Sequence, residues 1–321
     1  MSSIGLVLGG GGITGGAYEM AALMAIELAT GWSASSADVV VGTSAGSYVA
    51  GLVRSGRLEL DSLVKAGESR VDVSERIASH LFVRRPGVRV RSWVRHGLLP
   101  GLRRPGLTML LASPAPFDSV GLKMWLRSQV GEAADDWPDR PTVIVAYDLQ
   151  SRRRVAFGTD AAPDVTLADA VAASSAIPLV FRPHAIGGRE YVDGGVVSGT
   201  HADLVLGNPT PLDLVLVLAP MAADEQRQGA WIHEGLLDRV GITALEEELA
   251  MIERAWPSTD ILVLRPPPAV LTAMRPNPMD TDAAVPSFIR TLTSMKRTLA
   301  RPDVWSVLER HLSGRRTVNT T

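Results

Sequence analysis

Two short apolar runs, each followed by glycine and then by a helical pattern, most strongly constrain how this chain can fold. Residues 4–8 lead into four consecutive glycines at 9–12, and residues 39–41 are followed by Gly42. Continuously apolar strands are typical of parallel sheets whose two faces are both covered by helices. The sequence therefore predicts an α/β fold with adjacent parallel strands near its beginning.

The rest of the chain continues this pattern within a single domain. Further apolar runs predict strands at 142–147, 155–157, 212–218 and 261–264. Helical patterns occupy 45–53, 166–175, 230–255 and, as the last helix, about 287–299. The helix after the glycines is expected to present one packed face, formed by Tyr18, Ala21, Ala22, Ala25 and Leu28. Prolines at 266–268 and 276–286 predict a linker, and we expect one domain over 1–312 with a flexible tail at 313–321.

Residues 76–117 differ from the rest of the chain in composition. They contain eight arginines, several leucines and Trp93, but no acidic residue. Such a segment predicts a cap inserted into the domain, with basic and apolar groups suited to an anionic membrane surface. Alternatively, the arginines of an ordinary solvated cap would pair with acids elsewhere, such as Asp135, Asp136 and Asp139.

Composition excludes several classes of function. The 32 Lys and Arg are balanced by 34 Asp and Glu, which argues against a general nucleic-acid binder. Without cysteine there is no thiolate nucleophile, disulfide or cysteine-ligated metal. Carboxylates do not cluster at EF-hand spacing, so calcium is not implied, and we expect no metal or cofactor. With no signal-peptide pattern and no long apolar run, we expect a cytoplasmic protein, with peripheral membrane contact left open.

The five residues from Gly42 to Gly46 fit the G-x-S-x-G pattern of a nucleophile elbow, with Ser44 at its centre. In an elbow, a sharp turn between strand and helix lifts the serine hydroxyl above the sheet edge. The flanking glycines avoid clashes with neighbouring backbone, and the helix N-terminus favours a developing oxyanion. The preceding buried strand and the following helical pattern favour catalysis over a purely structural turn.

The glycine loop at 9–16 has two functional interpretations beside a structural turn. It satisfies G-x-G-x-x-G, but dinucleotide binding requires an acid at the end of the second strand, and Asp38 precedes that strand. The alternative is an oxyanion hole formed by the N–H groups of Gly10, Gly11 and Gly12. Adjacent parallel strands would bring this loop and Ser44 to the same sheet edge.

A catalytic serine also needs a base. The six histidines, none of them in a recognisable motif, are His80, His96, His184, His201, His233 and His311. An α/β-hydrolase triad does not fit, because only one strand–helix unit precedes Ser44. The remaining candidate is Asp193, which is followed by Gly194 and Gly195. A partly desolvated carboxylate bonded to the serine hydroxyl can act as general base, although Asp-Gly-Gly alone is more often a turn.

Together and in this order, the glycine loop, G-x-S-x-G and D-G-G resemble the patatin-like phospholipase family. Residues 173–178, followed by Phe181-Arg182-Pro183, also look like the family's segment before its aspartate. The resemblance covers 4–52 and 141–221, is weaker from 260 onward, and is absent across the arginine-rich insertion. One departure is Thr14, which stands where many members have Arg or Lys, so that ester hydrolysis is better supported than phospholipid preference.

The resemblance implies a three-layer α/β/α sandwich with a mainly parallel central sheet and a Ser–Asp dyad. Ser44 would be the nucleophile and Asp193 the base, with Gly10, Gly11 and Gly12 as the oxyanion hole. Gly42, Gly46, Gly194 and Gly195 would support the motifs. The expected activity is hydrolysis of lipid acyl esters, of the phospholipase A or lysophospholipase type, through an acyl-serine intermediate. An acyltransferase of related fold, a catalytically weak lipid-binding protein and a nucleotide-binding protein are the alternatives; acyl chain, headgroup and oligomeric state stay open.

Overall fold

The computed structural model describes residues 2–85, 93–99, 111, 114–222, 232–274 and 277–313. Its strands are β1 Ile4–Leu8, β2 Val39–Thr43, β3 Thr142–Asp148, β4 Arg153–Phe157, β5 His184–Ile186, β6 Arg189–Asp193, β7 Leu214–Leu218 and β8 Asp260–Leu264. Its helices are α1 Gly12–Thr30, α2 Ala45–Arg54, α3 Arg70–Leu81, α4 Val120–Val130, α5 Leu167–Ser174, α6 Ile232–Ala255, α7 Pro268–Met274, α8 Ala284–Leu299 and α9 Pro302–Leu312.

All these strands join one mixed sheet, in the order β5-β6-β3-β2-β1-β7-β8, with β4 also paired to β3. The central strands β3, β2, β1, β7 and β8 are parallel, whereas β4, β5 and β6 pair antiparallel at the β3 side. The predicted mainly parallel sheet is confirmed. Strands β1 and β2 are neighbours, so the loops that follow them meet at one edge.

The sheet lies between two helical layers. Alternate residues of each strand point to opposite faces, so Leu6 packs on one side and Val7 on the other. The larger core contains side chains of α1 to α5 and of α7 to α9, and the smaller one contains Leu245 and Ile252 of α6. The three-layer α/β/α architecture that the family resemblance implies is therefore observed.

Helix α3 corrects the start of the predicted insertion. The helix begins at Arg70 after a capping box, in which Ser69 and Asp72 each bond the other's backbone N–H. Ile77 and Leu81 of this helix lie in the main core. The domain body thus continues through Leu81, past the expected boundary at 76. Much of the arginine-rich segment, 86–92 with 100–110 and 112–113, lies outside the described residues.

The suggested pairing of insertion arginines with Asp135, Asp136 and Asp139 is not found among the described residues. Arg85 pairs with Asp118 at 2.9 Å. Arg76 pairs with Glu68 at 2.7 Å. Both acids lie closer along the chain to the arginine-rich segment than the acids proposed. Asp135 instead pairs with Arg127 of α4.

Four other details differ from the sequence-based expectations. Helix α4 and the antiparallel strands β5 and β6 were not predicted as elements. The proline-rich stretch is not a continuous linker, because Pro268 begins α7. The helix at 287–299 is not the last, since Pro302 occupies the first turn of α9, where its missing N–H is harmless. Leu28, expected on the packed face of α1, is exposed.

Among the residues that the structure describes, no helix combines the length and apolar character required to cross a bilayer.

Candidate active site

Ser44 occupies the sharp turn between β2 and α2. Its backbone has φ of 54° and ψ of −121°, a combination that is rare for a residue with a side chain. Strain of this kind persists only where the surrounding structure enforces it, and it concentrates at functional sites. This strained turn lies where the sequence predicts a nucleophile elbow.

The glycines around Ser44 are required by close backbone approach. A Cβ at Gly46 would overlap the carbonyl oxygen of Leu8, and one at Gly42 would lie 2.8 Å from the Gly46 carbonyl oxygen. Helix α2 can therefore cross the end of β1 only because both positions lack a side chain. This contact also brings the glycine loop after β1 against the elbow, since a Cβ at Gly10 would lie 3.2 Å from the Ser44 Cβ.

Three buried serines hold the backbone of Ser44. The Ser44 N–H donates to Ser174 Oγ at 2.9 Å, and Ser174 Oγ donates to the Val145 carbonyl at 2.6 Å. The Ser44 carbonyl accepts from Ser47 Oγ at 2.6 Å and from Ser175 Oγ at 3.1 Å. Both polar groups of the strained residue are thus fixed by side chains. The sequence marks 173–178 only as family-like; two adjacent serines before Pro178 were the available signal for this role.

Asp193 reaches Ser44 because of how β3 is paired. Strand β2 pairs with the first part of β3, where Thr43 lies opposite Val145. Strand β6 pairs with the remainder, where Asp193 lies opposite Ala146, and β4 runs along the other edge. The ends of β2 and β6 therefore meet at consecutive positions on β3. The arrangement places Asp193 directly beyond the end of β2.

The Asp193 carboxyl is buried and firmly oriented. Its Oδ1 accepts from the Gly195 N–H at 2.7 Å, and its own N–H donates to the Ala176 carbonyl at 3.1 Å. A Cβ at Gly194 would lie 2.6 Å from the Val145 carbonyl oxygen, so this position also needs glycine. Burial raises the pKa of Asp193 to about 6, against the lowering effect of hydrogen bonds from the Ser44 hydroxyl and the Gly195 amide.

The three glycine amides predicted as oxyanion donors are not equivalent. The Gly10 N–H already donates to the Gly199 carbonyl at 2.7 Å, so it is not available to an oxyanion in this geometry. The amides of Gly11 and Gly12 donate to no acceptor within the described part of the chain. Gly12 has φ of 61° and begins α1, and a Cβ there would lie 2.7 Å from the Pro278 carbonyl oxygen.

Thr14 is buried and does not line the cavity beside Ser44. Its N–H donates to the Pro278 carbonyl at 3.1 Å, and its hydroxyl donates to the Met274 carbonyl at 3.3 Å. Both bonds tie the start of α1 to the chain around the end of α7. In this protein the position therefore fixes the glycine loop.

An apolar cavity opens beside Ser44. Its wall is built mostly of aliphatic and aromatic side chains from helices α1 to α5 and from the segment before β5. Representative lining residues are Ile13, Met20, Ile77, Leu122, Trp125 and Phe181. This apolar lining suits the hydrocarbon chain of an acyl group.

His201, the histidine nearest a motif, lies behind the elbow. Its Nδ1 is 3.2 Å from the Thr43 hydroxyl, and it is fully buried. Burial lowers the pKa of His201 to about 3, so the ring is neutral at physiological pH. Among the described hydrogen bonds of His201, none involves the Ser44 hydroxyl. That hydroxyl bonds Asp193 instead.

A family model described as patatin-like phospholipase matches residues 6–206. Curated protein sequences give no match. Among solved structures, the chain is similar to VipD from Legionella pneumophila, with a TM-score of 0.41, 13% identity, and coverage of 97% of this chain and 67% of that one. It is also similar to human GIVD cytosolic phospholipase A2 in complex with methyl gamma-linolenyl fluorophosphonate, with a TM-score of 0.39, 14% identity and coverage of 97% and 59%. The chain thus spans about three fifths of that second structure.

The family match covers well over half of the 321 residues and includes all three motifs of the site. The chain belongs to the patatin-like phospholipase family, which makes it a lipid-hydrolysing enzyme.

Proposed function

We infer that this protein hydrolyses lipid acyl esters through an acyl-serine intermediate, with Ser44 as nucleophile and Asp193 as general base. The observation that carries this assignment is the strained Ser44, whose hydroxyl bonds a buried carboxyl and which lines an apolar cavity. The substrate class is a carboxylic ester of the phospholipase A or lysophospholipase type. No cofactor takes part in the proposed steps.

In the first half-reaction, the Ser44 oxygen attacks the ester carbonyl and its proton passes to Asp193. The N–H groups of Gly11 and Gly12 stabilise the negative oxygen of the tetrahedral intermediate. The proton then moves from Asp193 to the leaving alcohol as the ester bond breaks. In the second half-reaction, Asp193 takes a proton from the water that attacks the acyl-serine. The proton then passes from Asp193 to the Ser44 oxygen as the acyl bond breaks and the fatty acid leaves.

The pKa of Asp193 suits this role. A general base works best when its pKa lies near the working pH but still leaves it ionised. With a pKa of about 6, the carboxylate is mostly ionised at neutral pH and is a stronger base than an exposed aspartate. Its fixed bond from Gly195 keeps the second oxygen free to face the serine hydroxyl.

The test is hydrolysis of a panel of p-nitrophenyl acyl esters by the wild type, Ser44→Ala and Asp193→Ala. Each substitution should lower kcat/KM by at least about a hundredfold while leaving circular dichroism unchanged. Ser151→Ala, an exposed serine in the turn after β3, is the matched control and should keep full activity. Wild-type activity in a folded Ser44→Ala variant would contradict the assignment.

A lipid substrate also implies contact with a membrane or micelle. The arginine-rich segment that follows α3, up to residue 117, remains our candidate for contact with an anionic surface, although much of it lies outside the described residues. Acyl release to water, as opposed to transfer to another acceptor, is decided by analysing the products of a phospholipid substrate with and without added alcohol.

A further inference from the structure

Three exposed apolar side chains lie on segments that also contribute to the wall of the cavity. Val83, Val120 and Leu179 have exposed fractions of 38%, 42% and 53%. Each lies two residues along the chain from a cavity-lining residue, namely Leu81, Leu122 and Phe181. We call these three residues the exposed rim.

The segments that carry the exposed rim are joined to one another. The Asp118 N–H donates to the Val83 carbonyl at 2.9 Å, and the Phe117 N–H donates to the Val180 carbonyl at 3.3 Å. Beneath them, the rings of Phe82, Phe117 and Phe181 pack with centroids 4.9 to 6.3 Å apart. The exposed rim is therefore carried by segments that are bonded and packed together and that also contribute to the wall of the cavity.

Leu179 combines two unfavourable properties. Its backbone has φ of 71°, in the left-handed region, which is a genuine outlier for a bulky residue. Its side chain is also more than half exposed, so it gains little from burial. Glycine or asparagine would adopt this backbone conformation at lower cost. A strained residue that presents an apolar side chain to solvent beside a substrate cavity points to a role outside the folded chain.

Positive charge flanks the exposed rim. Arg84 and Arg85 follow Val83 and are exposed, and the Arg84 guanidinium lies 5.8 Å from the centre of the Phe117 ring. Arg85 pairs with Asp118. Arg84, Arg85 and Asp118 together therefore carry a net positive charge next to the exposed rim. Apolar side chains next to arginines match the boundary of an anionic bilayer, where acyl chains and phosphates adjoin.

We propose that the exposed rim docks this enzyme on an anionic lipid bilayer, with Leu179 as the side chain that enters the acyl layer. An acyl chain leaving the bilayer would then pass over the rim into the cavity beside Ser44. This inference rests on the proposed lipid acyl hydrolase function and adds the surface by which the enzyme meets its substrate. It assigns the leucine at 179 to binding, because the fold itself would favour a different residue.

The test compares Leu179→Asn with the wild type on vesicles containing equal parts phosphatidylcholine and phosphatidylglycerol. Asparagine tolerates the left-handed conformation, so the variant should unfold at an equal or higher temperature. Its vesicle binding by sedimentation and its phospholipid hydrolysis on vesicles should fall at least about tenfold, since one leucine leaves the acyl layer. Its hydrolysis of soluble p-nitrophenyl butyrate should not change.

Leu28→Asn is the matched control. Leu28 is 83% exposed but lies about 24 Å along α1 from Gly12 at the cavity, so its replacement should leave vesicle binding unaltered. Arg84→Gln should weaken binding to the anionic vesicles, and the wild type should bind pure phosphatidylcholine less strongly than the mixed vesicles.

The outcomes separate this inference from the proposed function. Full vesicle binding by Leu179→Asn, or an equal loss in Leu28→Asn, would overturn the docking surface even if ester hydrolysis is normal. Wild-type protein that hydrolyses soluble ester but binds neither kind of vesicle would also overturn it, in favour of a protein partner for the exposed rim. Absence of ester hydrolysis would instead contradict the proposed function. Vesicle sedimentation would still test the docking surface, because it does not depend on catalysis.

Discussion

Replacing Asp193 by asparagine should stabilise the fold while abolishing hydrolysis. Burial raises the pKa of this carboxyl from its usual 3.8 to about 6, so the native state holds its proton at pH values where the unfolded chain has lost it. Stability from this group is therefore greatest below about pH 4 and falls as the pH rises through 6. At about 1.4 kcal/mol per pKa unit, the ionised carboxylate costs about 3 kcal/mol at pH 8.

Asparagine has nearly the same shape and is neutral at every pH, and its oxygen can still accept from the Gly195 N–H. Urea unfolding of both proteins at several pH values gives the stability gap directly. The gap in favour of Asp193→Asn should widen by about 1.4 kcal/mol between about pH 5 and pH 8. Differences in packing between the two side chains do not depend on pH and so cancel in this comparison.

Ser44→Ala is the appropriate control, because it should be equally inactive yet retain the carboxyl and its pH dependence. A stability gap for Asp193→Asn that stays constant from about pH 5 to pH 8 would refute the reasoning, since it would mean that the carboxyl is not buried as an ionisable group. Stabilisation together with inactivity is typical of a residue kept for chemistry at the expense of the fold.

Two further results are expected. The kcat/KM for a soluble ester should rise with pH and level off above an apparent pKa of about 6, because only ionised Asp193 accepts the serine proton; a flat profile from about pH 5 to pH 8 would argue against Asp193 as the base. Ser174→Ala leaves the buried Ser44 N–H and Val145 carbonyl without their partner, so stability should fall by about 2 kcal/mol or more in urea unfolding. The same variant should slow the acylation step more than it raises KM, and an unchanged acylation rate would show that the elbow holds its shape without Ser174.

The parts of the fold that the sequence predicts best are those determined by local physics. Strands β1 and β2 are continuous apolar runs, and such runs have few alternatives to a buried parallel strand. The elbow is predictable because a turn as tight as that at Ser44 requires glycine at 42 and 46. The strained turn at Ser44 lies where the sequence predicts the elbow, whereas the catalytic roles of Ser44 and Asp193 stay predictions.

The features that sequence reasoning missed depend on contacts between distant segments. Strand β6 is short and polar at its start, and it becomes a strand because β3 has a free stretch beyond the end of β2. Ser174 bonds the backbone of a residue 130 positions away, which no local pattern encodes. Gly10 matches its motif as well as Gly11 does, and only the position of the Gly199 carbonyl distinguishes their amides.

The three residues from Ser174 to Ala176 hold both members of the proposed dyad. The hydroxyls of Ser174 and Ser175 hydrogen-bond the backbone of Ser44, and the Ala176 carbonyl accepts a hydrogen bond from the Asp193 N–H. The separation of nucleophile and base is thus set by one short template, independently of the long chain segments between them. Insertions between α3 and α4 can change length and composition over evolution without disturbing that separation. A change in this template is consequently expected to disturb Ser44 and Asp193 together, because both are bonded to it.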